Sequence, residues 1–209
     1  MKKKLIQPWV ITVTVLVVII IACVGWGISM NNKLITEAEK VEAQWSQVEN
    51  QFQRRLDLIP NLVETVKGYA SHESETLESL AAARAGLSSA YNDAQAVQQA
   101  GQPGDDAGMQ AYSDAQNRLK GALNLYVNAV HEAYPDLKAN EQFLSLQTQL
   151  EGTENRIAVE RQRYIETVRD YNVMVRRFPA SLIASMNGFE TKPQFKADEG
   201  AATAPQVSF

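Results

Sequence analysis

Residues Trp9 to Ile28 read WVITVTVLVVIIIACVGWGI, a stretch without a single charge. About 20 apolar residues at 1.5 Å each span a hydrocarbon core of about 30 Å. A backbone in that environment must satisfy its own hydrogen bonds, so the run is expected to be helical despite its many β-branched residues. Trp9 and Trp26 stand near its two ends, where amphipathic rings favour the interface. Lys2, Lys3 and Lys4 precede the run, whereas Ser29 to Asn32 after it are uncharged. The positive-inside rule then places residues 1–8 in the cytoplasm, residues 9–28 across the membrane and the remainder outside. Two other readings compete. A cleaved signal peptide has a shorter apolar core and a small-residue cleavage site, and no A-x-A stands near the end of this run. Ile20-Ile21-Ala22-Cys23 loosely resembles a lipidation box, but membrane-compatible residues continue past Cys23. An uncleaved anchor is the favoured reading.

Beyond residue 33 the apolar residues recur at steps of three and four. One series is Val41, Trp45, Val48, Phe52, Leu56, Ile59, Val63, Val66; a second is Leu77, Leu80, Leu87, Tyr91. A third runs Met109, Tyr112, Leu119, Leu123, Val127, Val130, and a fourth Phe143, Leu146, Leu150, Ile157, Tyr164, Val168, Tyr171, Val175. Each series lines one face of a helix, and no alternating run marks a strand. Breaks fall at Gly101 to Asp106, at Tyr134-Pro135-Asp136 and at Phe178-Pro179, with a weaker one between Gly68 and Ser74. Pro60 interrupts nothing in the apolar phase, which favours one helix kinked there over a loop. Helices of roughly 33–70, 73–98, 108–132 and 140–178 therefore form an all-α, up-and-down antiparallel four-helix bundle over residues 30–187. Residues 188–209 are expected to be an extended and disordered tail, with Phe189 and Phe195 as aromatic anchors in its first part.

Chemistry is sparse. One cysteine permits no internal disulfide, and two histidines cannot build a three-histidine zinc site. A net charge of −4 argues against nucleic acid as a partner. No phosphate-binding glycine loop, H-E-x-x-H or G-x-S-x-G occurs. His72-Glu73 and His131-Glu132 would together offer four ligands if their helix ends met, but the Glu-x-x-His spacing of di-metal bundles is absent. Solvated helix ends are the expectation, with no metal, no cofactor and no catalysis. Arg54-Arg55 and Arg176-Arg177 are the paired basic residues of the long helices, and with Asp57, Pro60 and Asn61 they form the candidate partner-binding set. Asp57 and Asn61 flank the hydrogen bond lost at Pro60, and Arg54 is spaced to pair with Asp57. Glu154 and Arg156 of the last helix are expected to pair with the first helix. Leu58, Leu62 and Tyr69 lie off the main stripe of the first helix, and Ile165 and Met174 off that of the last. Such extra apolar residues either leave exposed patches, which would favour parallel side-by-side homo-oligomers, or merely widen the core stripe.

The stretch from Arg54 through Pro60-Asn61-Leu62-Val63 to Glu73 resembles the LemA family of bacterial membrane proteins. Further matches are Val41 to Val48 with Trp45, Glu132 to Lys138, Thr153-Glu154-Asn155-Arg156-Ile157, Phe178-Pro179 and Gly188-Phe189. The resemblance implies a membrane-anchored helical bundle in the bacterial inner membrane with no catalytic residues to carry over. Its members often occur beside genes for membrane metalloproteases or TPM-domain envelope proteins. It therefore implies a scaffold or adaptor acting by protein–protein interaction, or alternatively an accessory regulator of a membrane protease or transport complex. The expected partners are the lipid bilayer, a second copy, and a membrane protease or envelope protein. A reporter active only outside the cytoplasm, fused after Phe209, should be active; activity of a cytoplasm-only reporter at the same place would reverse the orientation.

Overall fold

The computed structural model describes residues 8–70 and 78–196. The first helix, α1, runs without interruption from Pro8 to Ala70, 63 residues or about 94 Å. The apolar run and the first bundle helix are thus one rod, where the sequence reading separated them at residues 29–32. In the run itself every large apolar side chain is open; Val17 to Ile21 are 47–66% exposed. Such a surface suits a hydrocarbon solvent. Burial begins with Met30, half-covered, and is complete at Leu34.

Three further long helices follow: α2 at Glu78–Gln99, α3 at Asp106–Ala133 and α4 at Glu141–Arg176. A 3-10 helix at Pro135–Ala139 joins the last two, and a short α5 at Ala180–Met186 follows α4. Each boundary has a local cause. Gly101 adopts φ +80° in the turn after α2, a conformation that favours glycine. Asp105 caps α3 by accepting from the Gly108 N–H at 2.7 Å. Pro135 ends α3, and Asn140 caps α4 by accepting from the N–H groups of Gln142 and Phe143. Gly188, at φ +74°, turns the chain out of α5.

Cross-helix contacts give the direction of each helix. Gln44 donates to Glu160 and Arg55 to Glu154, so α4 descends beside the rising α1. Gln98 donates to Gln53 while Leu80 packs in the core with Val66, so α2 descends as well. Arg118 pairs with Asp93 across the ascending α3. The architecture is the expected antiparallel bundle, built as two close pairs: α1 with α4, and α2 with α3. The α2–α3 pair is rich in small core residues, among them Ala90 and Ala94, which let backbones approach.

Two apolar cores stack along the bundle. The upper one joins all four long helices through Leu56, Ile59, Leu62, Leu87, Leu119, Tyr126 and Phe143. The lower one, nearer the apolar run, centres on Trp45, Phe52, Tyr112, Tyr164 and Tyr171. The ends of α2 and α3 reach this core through Val97, Met109 and Tyr112, and an extended segment, Gly188 to Lys196, closes its other side with Phe195. This part of the tail is ordered against the bundle. The rest of it, residues 197–209, and His72 and Glu73 lie outside the described residues.

Of the two readings of the off-stripe residues, the widened core stripe is the one the structure shows. Leu58 and Leu62 are buried, and Tyr69, Ile165 and Met174 are half-buried against the cores. They widen the buried stripe instead of leaving patches, because α1 and α4 each face more than one neighbour.

Pro60 sits inside α1 with its ring exposed. The helix therefore loses only the bond that the Leu56 carbonyl would accept. Pro60→Ala in the full-length protein should restore it and raise stability by up to about 3 kcal/mol. Thermal unfolding followed by circular dichroism checks this; a midpoint lowered by several degrees would show that the proline is needed.

Candidate functional site

Arg55 is 1% exposed, among the largest fully buried side chains of the chain. It falls on the inner face because it follows Phe52 by three residues and precedes Ile59 by four. Its guanidinium donates to Glu154 Oε1 at 2.7 Å, to the Gln116 carbonyl at 3.3 Å and to Gln116 Oε1. It also lies 5.3 Å from the Phe52 ring centre. Lys120 approaches the other oxygen of Glu154 at 3.7 Å. One cation thus ties α1, α3 and α4 at the level where the upper and lower cores meet. A buried charge is tolerable only with this much compensation. Of the two residues of α4 expected to pair with the first helix, Glu154 does so, whereas Arg156 faces outward.

The other members of the basic and Pro60 set are separated. Arg54, Asp57 and Asn61 face outward from α1. Asp57 accepts from Gln53 at 2.6 Å, not from Arg54. Asn61 lines a polar cleft with Glu64, Tyr69, Asn140 and Ser145 between the top of α1 and the start of α4. Arg176 and Arg177 stand exposed at the opposite end, below α4, with Arg176 donating to the Asn172 carbonyl at 3.3 Å. Arg55, enclosed by three helices, cannot share a docking surface with Arg54.

Below Arg55 is an aromatic cage. Trp45 meets Tyr112 edge-on at 5.1 Å and Tyr164 at 5.4 Å, and stacks on Phe195 at 6.0 Å. The Arg161 guanidinium covers the outer face of Phe195 at 4.6 Å. The strap that carries Phe195 is held by polar contacts. Asn172 donates to the Lys192 carbonyl and accepts from the Lys192 N–H, each at 2.8 Å. Tyr164 donates to the Pro193 carbonyl at 3.2 Å, and Lys196 pairs with Asp106 at 3.0 Å. Burial and the nearby Glu49 carboxylate push the Tyr112 phenol up; burial alone dominates for Tyr126, pushed up to about 12, and for Tyr164. These phenols stay neutral at any physiological pH and serve as packing with a polar tip.

The histidine end behaves likewise. His131 rests edge-on against Phe143 at 5.6 Å, and partial burial together with Lys138 lowers its pKa. Among the described residues no group of three or more His, Cys, Asp or Glu is placed to hold a metal.

The sequence matches the LemA family model over residues 44–209. The chain belongs to the LemA family. It is a membrane-associated helical member, 28% identical over 90% of its length to Magnetosome protein MamQ 2 of Paramagnetospirillum magneticum, covering 72% of that protein. The MamQ of Magnetospirillum gryphiswaldense is also 28% identical, over 84% of this chain and 69% of its own. Protein LemA of Metamycoplasma hominis is 23% identical over 74% of this chain and 60% of its own.

Sequence reasoning took Arg54-Arg55 as a surface doublet and missed Gln116 and Asn172. A usable signal was present: Gln116 interrupts the α3 stripe between Tyr112 and Leu119, and Asn172 adjoins Tyr171 on that of α4. A polar residue at a core position calls for a partner. In this LemA-family chain Glu154→Ala should cost about 3 kcal/mol, because Arg55 is then left buried without its counter-charge. Combined with Arg55→Met, the change should cost less than the sum, with a coupling above about 1 kcal/mol. Unfolding in detergent micelles measures both; additive losses would show that the two residues do not act as a pair.

Proposed function

We propose that this LemA-family protein is a bacterial inner-membrane scaffold or adaptor. It holds a rigid helical bundle outside the cytoplasm for contact with other envelope proteins or further copies of itself. The observation that carries this reading is the unbroken α1, which passes from the apolar run into the bundle with no linker. Such a rod fixes the height of everything built on it, which is useful to a platform and of no benefit to a freely diffusing binder. The polar groups support the same reading. Arg55, Glu154, Gln116, Asn172 and the Tyr164 hydroxyl bond to one another or to the backbone. Side chains committed this way hold a shape and are not poised to turn over a substrate. That curated relatives are named as magnetosome proteins adds support for a role within a larger cellular structure.

The surfaces open to a partner are the polar cleft around Asn61 and the exposed basic residues Arg54, Arg176 and Arg177. Crosslinking mass spectrometry on intact membranes at native abundance should return links from the bundle to other envelope proteins or to a second copy. Links confined within single copies would sink the scaffold. Links dominated by one membrane protease or transporter would replace it with the regulator of that enzyme.

A further inference from the structure

At the foot of the bundle α5 follows Phe178-Pro179 and lies across α1 beside the last turn of the apolar run. Ile183 faces Gly27 so closely that a Cβ on that glycine would stand 3.6 Å from Ile183 Cδ1. Ala180 and Ala184 are buried beneath α5, 6% and 1% exposed. The other side is open and apolar: Phe178 is 74% exposed, Leu182 56% and Met186 81%. Leu182 and Met186, four residues apart in α5, follow one stripe, and Phe178 is exposed in the turn immediately before the helix. Elsewhere on the bundle exposed apolar residues are isolated; Val159 and Val173 of α4, for example, have Gln162 and Glu166 between them. Three large exposed side chains gathered in one nine-residue segment at the foot of the bundle are a different feature.

We infer that α5 is an interfacial helix, and that Phe178, Leu182 and Met186 are immersed in the leaflet that α1 leaves at Gly27 and Ile28. The inference rests on the reading of residues 9–28 as a membrane anchor. Its occupant is fixed by depth. Any bilayer crossed by Trp9 to Ile28 has its surface near Gly27, and α5 touches α1 at that level. A short helix with a bulky apolar side and cations next to it is the kind of element that lies in a headgroup layer. Arg176 and Arg177 precede Phe178 directly, and their long side chains can reach lipid phosphates while their stems cover apolar surface. Glu190, exposed just beyond α5, is the nearby opposing charge. The membrane contact then has two points, the span and α5, and the bundle loses the freedom to tilt about a single helix.

Nitroxide labels report the depth. Cys23→Ser supplies a background without native thiols, and single cysteines replace Phe178, Leu182 or Met186 in full-length protein in nanodiscs containing anionic lipid. These side chains are exposed, so the labels leave the packing intact. Controls are Ile19→Cys in the span and Leu125→Cys on α3, whose side chain is 67% exposed. Oxygen partitions into lipid and a nickel chelate stays in water. The oxygen-to-nickel accessibility ratio at positions 178, 182 and 186 should exceed that at 125 several-fold and fall below that at 19. Ratios equal to that of position 125 would overturn the interfacial helix while leaving the anchor in place. Loss of both collision partners with spin–spin broadening would overturn it in favour of a second copy on this stripe. A water-like ratio at position 19 would remove the anchor itself, and the inference with it.

Discussion

A backbone inside hydrocarbon has no water to bond, so it must close its own ladder of hydrogen bonds. In this chain the helix that starts at Pro8 continues past the apolar run to Ala70, with one ladder bond missing at Pro60. Everything else is measured against that rod. α4 packs along it in the opposite direction, α5 crosses it at Gly27, and the α2–α3 pair leans on the result. A flexible joint at residues 29–32 would have decoupled the bundle from the span. The helix instead runs on through Asn31 and Asn32 and is buried by Leu34.

The unequal lengths of the helices create the next requirement. α1 and α4 extend towards the apolar run well past the turn between α2 and α3, so their lower inner faces lack the two neighbours they have above. Trp45 and Tyr164 stand at the level of that turn, with Tyr112 on one side only, and leaving the other side open would be costly, since each aromatic side chain buries a large apolar area. The chain solves this with its own continuation. After α5 turns at Gly188, the strap climbs back and delivers Phe195 to Trp45. A strap has few helical bonds of its own. Asn172 and Tyr164 therefore satisfy its backbone at Lys192 and Pro193, which is how a non-helical segment can be buried without orphaned polar groups.

Most of this was legible from periodicity. Steps of three and four located the four long helices, proline and glycine marked the breaks, and the unbroken phase around Pro60 foretold the continuous helix. What was not legible depends on tertiary neighbours. Leu58 and Leu62 read as surplus because a single seam was assumed, whereas a helix facing two partners buries a wider arc. Arg55 read as half of a surface doublet because charge outweighed its position on the stripe. The extended segment from Gly188 and its anchors Phe189 and Phe195 were legible; its polar ties were not, because they come from side chains of α4 that lie about twenty residues away in sequence.

The buried Arg55 explains why those distant parts meet. Apolar packing between long helices is tolerant of sliding, because one leucine replaces another at little cost. A charge that must find both Glu154 and Gln116 is not tolerant: a slip of one turn, about 5.4 Å, strands it. Fixing α4 at Glu154 also fixes Asn172 opposite Lys192, and the end of α4 at Arg176. From Arg176 only a short turn separates α4 from α5, so the height of Ile183 against Gly27 follows from the same register. One ion pair in the middle of the bundle thereby sets where its foot stands relative to the last turn of the apolar run.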